Sequence, residues 1–466
     1  MAAASGLPHL SAAPVCRAYL PYSTFAFSWN NMPERQPQAA APLNASDLRR
    51  RAFAVGIGNF MEWFDFAIYG YFVVLIGRTF FPSSAPGISL LSSLAVFAVG
   101  FLSRPLGAVV LGPLGDRLGR RAVLMITVFG MGVATTLIGL LPGYDTLGMA
   151  APVLLILLRF VQGMMVGGEW SAACIYIVES APHGGRGKAA ALLTKTAAAA
   201  FLGGTFVAAV ISSVLSEQDA ASWGWRVPFV ASILMTVVAL YIRRRLGDTP
   251  VYEAVQKRRE NNEIQAVPAA EKWRAFVVTF AYAALFGVSL YYFITYANTH
   301  LTQTVGLSKS TALWLCSAAL VFYTLLHTAI GRFSDRFGRR PVVLASAVSL
   351  TVLGYPIFLL MNTGHSAAVL AALCLLAVPV AMAGVMDVVL LVEMYPASIR
   401  STGAAIGQNV AVAVLAGPAP FIAAALIQYS GNPTLPAAYL CGVAALSGVV
   451  LWALLPETRD KDISQG

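Results

Sequence analysis

Two carboxylates and two neutral polar side chains follow a helical spacing inside one long apolar segment. Asn59, Glu62, Asp65 and Tyr69 are three, three and four residues apart, which places them on one face of a helix. Two carboxylates one turn apart in a low dielectric resist double ionisation. The chemistry indicated is reversible proton binding by Asp65 or Glu62, with Asn59 and Tyr69 as candidate substrate contacts. A static ion pair with a neighbouring arginine is the structural alternative.

A single arginine interrupts the next apolar segment. Arg104, followed by Pro105, has a guanidinium that can hold a carboxylate through two parallel hydrogen bonds. We interpret Arg104 as a contact for an anionic substrate group or as the partner of Asp65. A purely structural ion pair is the alternative.

A later apolar segment carries Arg159, Gln162 and Glu169. At the helical rotation per residue, Arg159 and Glu169 lie about 80° apart and share a broad face. Glu169 is a candidate coupling or charge-network residue, and Gln162 is a candidate substrate contact. Gly163 and Gly167 form a small-xxx-small pair, which is typical of close helix packing.

Further ionisable and aromatic groups lie inside other apolar segments. Lys195 is a candidate ligand for a substrate carboxylate, and Asp387 is a candidate for proton coupling, because charges inside a membrane segment are usually functional. His327 titrates in a useful range, although a lone histidine is slightly more often a buried hydrogen-bonding group. Tyr292 and Tyr296 lie one turn apart as substrate contacts or, equally, as aromatic residues of the membrane interface.

Twelve apolar segments position these side chains. The 466-residue chain is 58% hydrophobic and 11% charged, with a mean hydropathy of +0.71, whereas a soluble domain carries roughly 25% charged residues. This excludes an ordinary soluble enzyme, a nucleic-acid-binding protein and a disordered protein. The apolar runs are continuous, of bilayer-spanning length and not alternating, which favours an all-α membrane protein over a β-barrel. The predicted spans are residues 52–77, 88–112, 122–142, 150–179, 189–215, 225–243, 274–299, 310–331, 341–361, 367–394, 402–428 and 434–455.

The basic residues predict the orientation of these spans. Lysine and arginine are concentrated in alternate connections and in the C-terminal tail, so both termini are expected in the cytoplasm of a multi-pass cell-membrane protein. The net charge of +10 therefore reflects topology. The five cysteines are widely spaced without a CxxC pair, and neither a disulfide framework nor a metal site is indicated. We expect no cofactor and no nucleic-acid partner.

One motif occurs twice and divides the chain into halves. Gly112–Arg121 recurs as Gly331–Arg340, and the Glu, Pro and Arg of residues 179–186 recur in residues 393–400. Repeats in one orientation around a central site are the plan of a large class of secondary transporters. The predicted organisation is a disordered N-terminal tail or an over-extended start (1–50), a first six-helix bundle (51–243), a cytoplasmic linker (244–272), a second bundle (273–456) and a cytoplasmic tail (457–466).

These motifs resemble those of a known family. The repeated Gly-x-x-x-Asp-Arg-x-Gly-Arg-Arg loop is similar to the signature of the major facilitator superfamily. Residues 58–66, 101–107, 159–169 and 223–229 together resemble the metabolite:proton symporter family, which includes permeases for citrate, 2-oxoglutarate, shikimate and proline/betaine. The resemblance extends from about residue 50 to the C-terminus. It implies twelve helices in two pseudo-symmetric bundles, alternating access, and proton-coupled uptake of small polar solutes.

The resemblance also implies that the two loops form a cytoplasmic gate. Topology anchoring is the simpler alternative for their charges, and both roles are compatible. Lys195 and Asp387 depart from the family motifs and leave the substrate open. The candidate gating residues are Asp116, Arg117, Arg120, Arg121, Asp335, Arg336, Arg339 and Arg340.

The sequence therefore predicts a transporter and not an enzyme. The favoured function is proton-coupled symport of a small carboxylate or zwitterion by a protein that needs only a monomer in the lipid bilayer. A proton-coupled exporter of a metabolite or drug is the alternative, and sodium remains open as the coupling ion. A membrane enzyme or a sensor would require a catalytic cluster or a soluble domain, and the sequence indicates neither.

Overall fold

The apolar runs of helical length become helices throughout the part of the chain that the structure describes. The computed structural model describes residues 45–82, 86–261, 263 and 266–464. The predicted N-terminal tail lies outside the described residues up to residue 44, and the first helix already includes residues 45–50. The helices of the first half are α1 (Ala45–Phe80), α2 (Pro86–Leu102), α3 (Arg104–Leu118), α4 (Arg120–Leu140), α5 (Tyr144–Leu147), α6 (Ala150–Glu179), α7 (Arg186–Val214), α8 (Glu217–Asp219) and α9 (Arg226–Arg243).

The second half repeats this order after a short amphipathic helix in the predicted linker. Twelve helices of the described chain are long and apolar enough to cross a membrane, which confirms the all-α fold with twelve transmembrane helices. The linker helix and the helices of the second half are α10 (Pro250–Glu260), α11 (Ala269–Tyr291), α12 (Ala297–Thr299), α13 (Lys309–Phe337), α14 (Arg339–Asn362), α15 (Ser366–Glu393), α16 (Arg400–Ala411), α17 (Ala419–Ser430) and α18 (Pro436–Leu454).

Three of the described spans contain a break or an irregular helical turn. The second span breaks at Ser103, between α2 and α3, because Pro105 has no backbone N–H to continue the ladder. The seventh and eleventh spans contain π-helical turns, Tyr292–Tyr296 and Val412–Ala416. Such turns are frequent at functional sites, and these two lie on the second half.

Glycines allow α3 and α6 to approach at backbone distance. A side chain at Gly107 would overlap the backbone of Met164, and one at Gly167 would overlap the carbonyl of Arg104. A side chain at Gly163 would overlap Gly100 at the end of α2. The close approach brings Arg104 and α6 into one buried layer, as expected for small residues between membrane helices.

Both copies of the repeated loop lie at the same end of the molecule, which we call the basic face. Gly119 and Gly338 connect α3 to α4 and α13 to α14 with φ values of 96° and 104°. Only glycine adopts this conformation without strain. The same local rule therefore produces both turns, which join equivalent helices of the two pseudo-symmetric halves.

Candidate transport site and gate

Glu62 and Arg104 form a buried and incomplete ion pair in the first half. Arg104 Nη2 lies 3.8 Å from Glu62 Oε1, and both side chains are buried. The Arg104 guanidinium lies between the rings of Phe66 and Phe101, 4.8 and 4.9 Å from their centroids. Neither carboxylate oxygen of Glu62 has a hydrogen-bond partner among the described residues. Such a carboxylate is costly to keep ionised in this environment.

Asp65 pairs with Arg159, and not with Arg104 as the sequence suggested. Arg159 Nη1 lies 3.5 Å from Asp65 Oδ2, and Gln162 Nε2 donates to the same oxygen over 2.7 Å. Arg159 also donates to Gln162 Oε1 and stacks over the ring of Tyr69 at 3.5 Å. Asp65 and Gln162 are thus neighbours in space, and both belong to a tightly bonded cluster between α1 and α6.

Glu169 is held in a saturated ion pair. Arg243 reaches its two oxygens over 2.6 and 3.2 Å, and Thr127 donates a short hydrogen bond to it. Arg243 also donates to the carbonyls of Leu124 and Val55. All these groups are buried, and each charge is compensated, so the contacts favour a structural role for Glu169 over proton coupling.

Asp387 connects the two halves without a cation. Its Oδ2 accepts hydrogen bonds from Trp170 Nε1 of α6 at 3.1 Å and from Gln408 Nε2 of α16 at 3.2 Å. The residue is fully buried, and its Oδ1 has no partner among the described residues. No basic side chain of the described chain forms an ion pair with it. It is therefore a buried carboxylate held only by neutral donors.

An aromatic cavity of about 20 Å³ lies beside Trp170 at the junction of the halves. Lys195, next to a lining residue, donates a short hydrogen bond to Thr328 of α13. It is half-buried and pairs with no carboxylate among the described residues. The ring of His327 packs edge to face with the ring of Tyr323, and the ring centroids are 4.4 Å apart. The lining residues are Trp63, Trp170, Thr194, Ala197, Ala198, Phe201, Phe286, Leu290, Ile294, Leu320 and Tyr323.

Four candidate substrate contacts are already engaged in hydrogen bonds inside the bundles. Asn59 donates to Thr196 Oγ1 over 2.7 Å and accepts from the Trp63 indole. Tyr69 donates to the Ser93 carbonyl at 3.2 Å. These two residues join helices of the first half.

The remaining pair of tyrosines is engaged in the second half. Tyr292 donates to the Pro436 carbonyl at the start of α18, and Tyr296 lies beside His300. Neither tyrosine lines the aromatic cavity. The structure thus brings Trp170, Lys195 and Asp387 towards the junction of the halves and leaves Tyr292 and Tyr296 in interhelical packing.

Each repeated loop presents its aspartate to a helix end of the opposite half. Asp116 accepts from the backbone N–H groups of Ser401 and Thr402 over 3.0 and 2.9 Å. Asp335 accepts from the N–H groups of Gly187 and Lys188 over 2.8 and 3.1 Å. Carboxylates at helix N-termini are favourable because they satisfy free donors and meet the helix dipole. These contacts close the basic face.

A buried glutamate in each half extends this closure. Glu179 pairs with Arg120 of its own half at 3.3 Å and with Arg400 of the other half at 2.5 Å. Its other oxygen accepts from Thr249. The carboxylate thus joins two arginines from different halves, in the low-dielectric interior where a hydrogen-bonded pair is strongest.

The second glutamate repeats the pattern. Glu393 pairs with Arg339 at 3.3 Å and with Arg186 of the first half at 3.1 Å, and it accepts from Thr458 at 2.5 Å. Arg339 also pairs with Asp335 at 3.1 Å. The candidate gate therefore consists of two equivalent ion-pair clusters, one around Glu179 and one around Glu393.

The other four arginines of the loops are held by hydrogen bonds that involve backbone carbonyls on the basic face. Arg121 donates to the Arg244 carbonyl, and Arg340 donates to the Trp452 carbonyl. The carbonyls of Arg117 and Arg336 themselves accept hydrogen bonds, from the linker helix and from the C-terminal tail. These hydrogen bonds fix the first loop to the linker region and the second loop to the end of α18 and the C-terminal tail.

A third repeat, not among the motifs identified from the sequence above, follows the last span of each half. Leu246-Gly-Asp248-Thr249 follows α9, and Leu455-Pro-Glu457-Thr458 follows α18. Asp248 accepts from the Arg121 N–H, and Glu457 accepts from the N–H groups that begin α14. Burial raises the pKa of the Asp248 carboxyl. The Asp/Glu-Thr pair after the last span of each half was the available signal.

Comparisons with known proteins identify the family of this chain. Family models match in both halves: "Sugar (and other) transporter" at residues 52–271 and "Major Facilitator Superfamily" at residues 278–465. The proline/betaine transporter of Escherichia coli K12 is 34% identical over 427 residues, covering 89% of this chain and 85% of the relative. The chain belongs to the major facilitator superfamily. The ectoine/proline transporter of Corynebacterium glutamicum is 36% identical over 417 residues, covering 85% and 81%.

A solved structure shares the fold of this chain. The proton:xylose symporter bound to 6-bromo-6-deoxy-D-glucose superposes with a TM-score of 0.76 at 17% identity, covering 91% of this chain and 99% of that one. The predicted resemblance to the metabolite:proton symporter family and the predicted class, a secondary active transporter, are confirmed. This major facilitator protein is a multi-pass membrane transporter of small molecules.

Proposed function

We propose that this protein imports a small zwitterion together with a proton by alternating access. The observation that carries the proposal is Asp387, a fully buried carboxylate that has only neutral donors and bonds across the junction of the halves to Trp170. Relatives are named for proline, betaine and ectoine. These compounds are zwitterions that carry a nitrogen-centred cation and a carboxylate.

Proton binding at Asp387 would act on the contact between the halves. As an anion, Asp387 is a strong acceptor for the Trp170 indole N–H. A proton on the carboxyl weakens that acceptor and removes a buried charge from the membrane interior. The bond between α15 and α6 then loosens, and the halves separate more easily. Glu62, whose oxygens have no hydrogen-bond partner among the described residues, is the second candidate.

In this proposal, the ammonium group of Lys195 binds the carboxylate of the substrate. It is half-buried, lies beside the cavity residue Thr194 and pairs with no carboxylate among the described residues. An approaching carboxylate therefore finds a charge that needs no other ion pair to be broken. Arg104 is less available because Glu62 and two aromatic rings surround it.

The basic face would lie in the cytoplasm of the cell. Its arginines and lysines follow the rule that cytoplasmic loops are positively charged. With that orientation, the closed contacts of Asp116 and Asp335 seal the site from the inside. The cycle needs one chain and a proton gradient, and no cofactor enters it.

Reconstituted vesicles test this proposal. Purified protein in liposomes, with an acidic outside and a neutral inside, should accumulate radiolabelled betaine or proline, and a protonophore should abolish the accumulation. Accumulation that survives the protonophore and follows a sodium gradient would reject proton coupling. Under the same gradient, loss of preloaded substrate from the vesicles as protons flow inward, with no accumulation from outside, would favour the exporter.

A further inference from the structure

The cavity at the junction of the halves is walled by aromatic rings from both of them. Trp63, Trp170 and Phe201 come from the first half, whereas Phe286 and Tyr323 come from the second. We propose that these five rings form a cage for a quaternary ammonium group, so that the transporter prefers fully N-methylated zwitterions over their N–H counterparts. This inference rests on the proposed function and specifies which end of the substrate enters the cavity.

The rings are held at defined angles around the cavity. Trp63 and Trp170 meet edge to face, with centroids 6.2 Å apart and planes at 89°. Trp63 and Phe201 are 5.6 Å apart and tilted by 48°. Rings from different helices, set at different angles, therefore surround the same volume. Attraction of a cation to the faces of aromatic rings is the physical basis of aromatic cages for quaternary ammonium groups.

The indole N–H groups are bound to fixed acceptors outside the cavity lining. Trp63 Nε1 donates to Asn59 Oδ1 at 3.2 Å, and Trp170 Nε1 donates to Asp387 Oδ2 at 3.1 Å. Each bond fixes the orientation of its ring. The bond from Trp170 to a carboxylate also increases the electron density of the indole, which strengthens its attraction for a cation.

The cavity offers few acceptors to an ammonium that carries N–H groups. Among the described lining residues there is no carboxylate and no amide, and the only side-chain oxygens are the hydroxyls of Thr194 and Tyr323. The Thr194 hydroxyl is directed to the carbonyls of Ala190 and Ala191. A primary or secondary ammonium would leave N–H donors without partners there, and buried unpaired donors are costly. A quaternary ammonium has no such donors.

The other end of the substrate has a matching cation. Lys195 follows Thr194 in α7, and its ammonium bonds to Thr328 of the second half. A zwitterion with its methylated nitrogen in the cage can therefore direct its carboxylate towards Lys195. The rings and the Lys195–Thr328 contact come from both halves, so a bound zwitterion would contact both halves at once.

The cavity is smaller than the proposed ligand group. A cavity of about 20 Å³ accommodates only about one water molecule. A trimethylammonium group is larger, so the halves must separate for the substrate to enter. Because opposite walls belong to opposite halves, rocking of the halves enlarges this cavity directly.

Equilibrium binding to the purified full-length protein tests the cage without any gradient. The probes are glycine, N-methylglycine, N,N-dimethylglycine and glycine betaine, which share one carboxylate and differ only in methylation. We expect affinity to rise with each methyl group, by about tenfold or more across the series. Phe201→Leu and Tyr323→Leu should each weaken glycine betaine about tenfold, since a π face is lost, while glycine changes little.

Matched variants separate the rings from general damage. Tyr323→Phe retains the ring and should retain the methylation preference. Trp452→Leu removes an aromatic residue that is 67% exposed on α18 and should alter neither preference nor melting temperature. A preference that persists in Phe201→Leu and Tyr323→Leu, or a flat series or no binding in the unaltered protein, would overturn the cage. Methylation-dependent binding without proton-driven uptake would instead support the cage and reject the proposed function.

Discussion

At the scale of single residues, the intramembrane carboxylates differ in what compensates their charge. Glu169 has a bidentate arginine and a hydroxyl donor. Asp65 has an arginine and a glutamine. Asp387 has only an indole and an amide. Since an uncompensated charge is the one most easily neutralised by a proton, Asp387 is the group that we expect to exchange protons during transport.

Asp387→Asn should uncouple transport while preserving the fold. The amide oxygen still accepts from Trp170, so the contact between α15 and α6 remains, but the side chain no longer binds a proton. We expect loss of accumulation driven by a pH gradient and retention of substrate exchange at equal pH. Both are measured in proteoliposomes, with Asp460→Asn in the exposed tail as control. Accumulation at the normal level in Asp387→Asn would assign coupling to another carboxylate.

Glu169→Gln should destabilise the protein. Removal of one charge leaves Arg243 buried without its partner, and breaking a buried pair in this way costs about 3–5 kcal/mol. The measurement is the thermal unfolding of the detergent-purified protein. Asp460→Asn breaks the exposed pair with Arg459, and we expect no measurable change in melting temperature for it. A stable Glu169→Gln protein that has lost only coupling would restore Glu169 as a proton carrier.

At the scale of elements, the approach of α3 to α6 decides where Arg104 and Trp170 lie. Glycine at each contact lets the two backbones meet, so the break at Ser103 and the cluster around Arg159 share one layer. The π-helical turn at Val412–Ala416 lies in the span that begins with α16 and its contacts to Asp116. This irregular turn thus lies in a span that also contacts the first repeated loop.

Gly167→Ala should separate α3 from α6. The added methyl would overlap the Arg104 carbonyl, and overpacking of this kind costs about 1–3 kcal/mol. We expect a lower melting temperature and weaker substrate binding. Gly70→Ala is the matched control, because a Cβ there meets no atom within 4 Å and alanine favours the helix. Equal behaviour of the two variants would show that the α3–α6 distance is not limiting.

At the scale of the whole molecule, the two halves are closed at the basic face by equivalent contacts. The C-terminal tail adds to them: Arg186 donates to the Lys461 carbonyl, and Arg400 donates to the Ile463 carbonyl. Lys461 Nζ donates to the Glu393 carbonyl, and burial lowers the pKa of its ammonium. One short segment therefore contacts arginines of both halves.

Ending the chain at Asp460 should shift the protein towards the state that is open at the basic face. The truncation removes the carbonyls that accept from Arg186 and Arg400 but keeps Glu457 and Thr458 in place. We expect a longer average distance between spin labels at positions 118 and 337, both exposed at the ends of α3 and α13. Electron–electron double resonance measures it after replacement of the native cysteines. An unchanged distance distribution would show that the tail does not hold the gate closed.

Much of the architecture followed from the sequence because its signals are local. Apolar length defined the twelve spans, and the repeated loop, with a glycine at positive φ in each copy, defined two equivalent halves. The bilayer core offers no water to the backbone N–H and C=O groups, so a single apolar segment must hydrogen-bond them internally, which an α-helix does. Charges in the middle of the apolar runs were also visible in the sequence, whereas Arg243 at the end of α9, which pairs with Glu169, was not among the candidates.

The partner of each charge was decided only by tertiary structure. Helical spacing placed Glu62 and Asp65 on one face of α1, yet Arg104 pairs with Glu62 while Arg159 pairs with Asp65. Spacing along one helix carries no information about which side chain of another helix approaches it. The same reason hid the aromatic cavity, whose rings come from five distant positions. Sequence thus determined which groups enter the membrane, and packing of the two halves determined which of them meet.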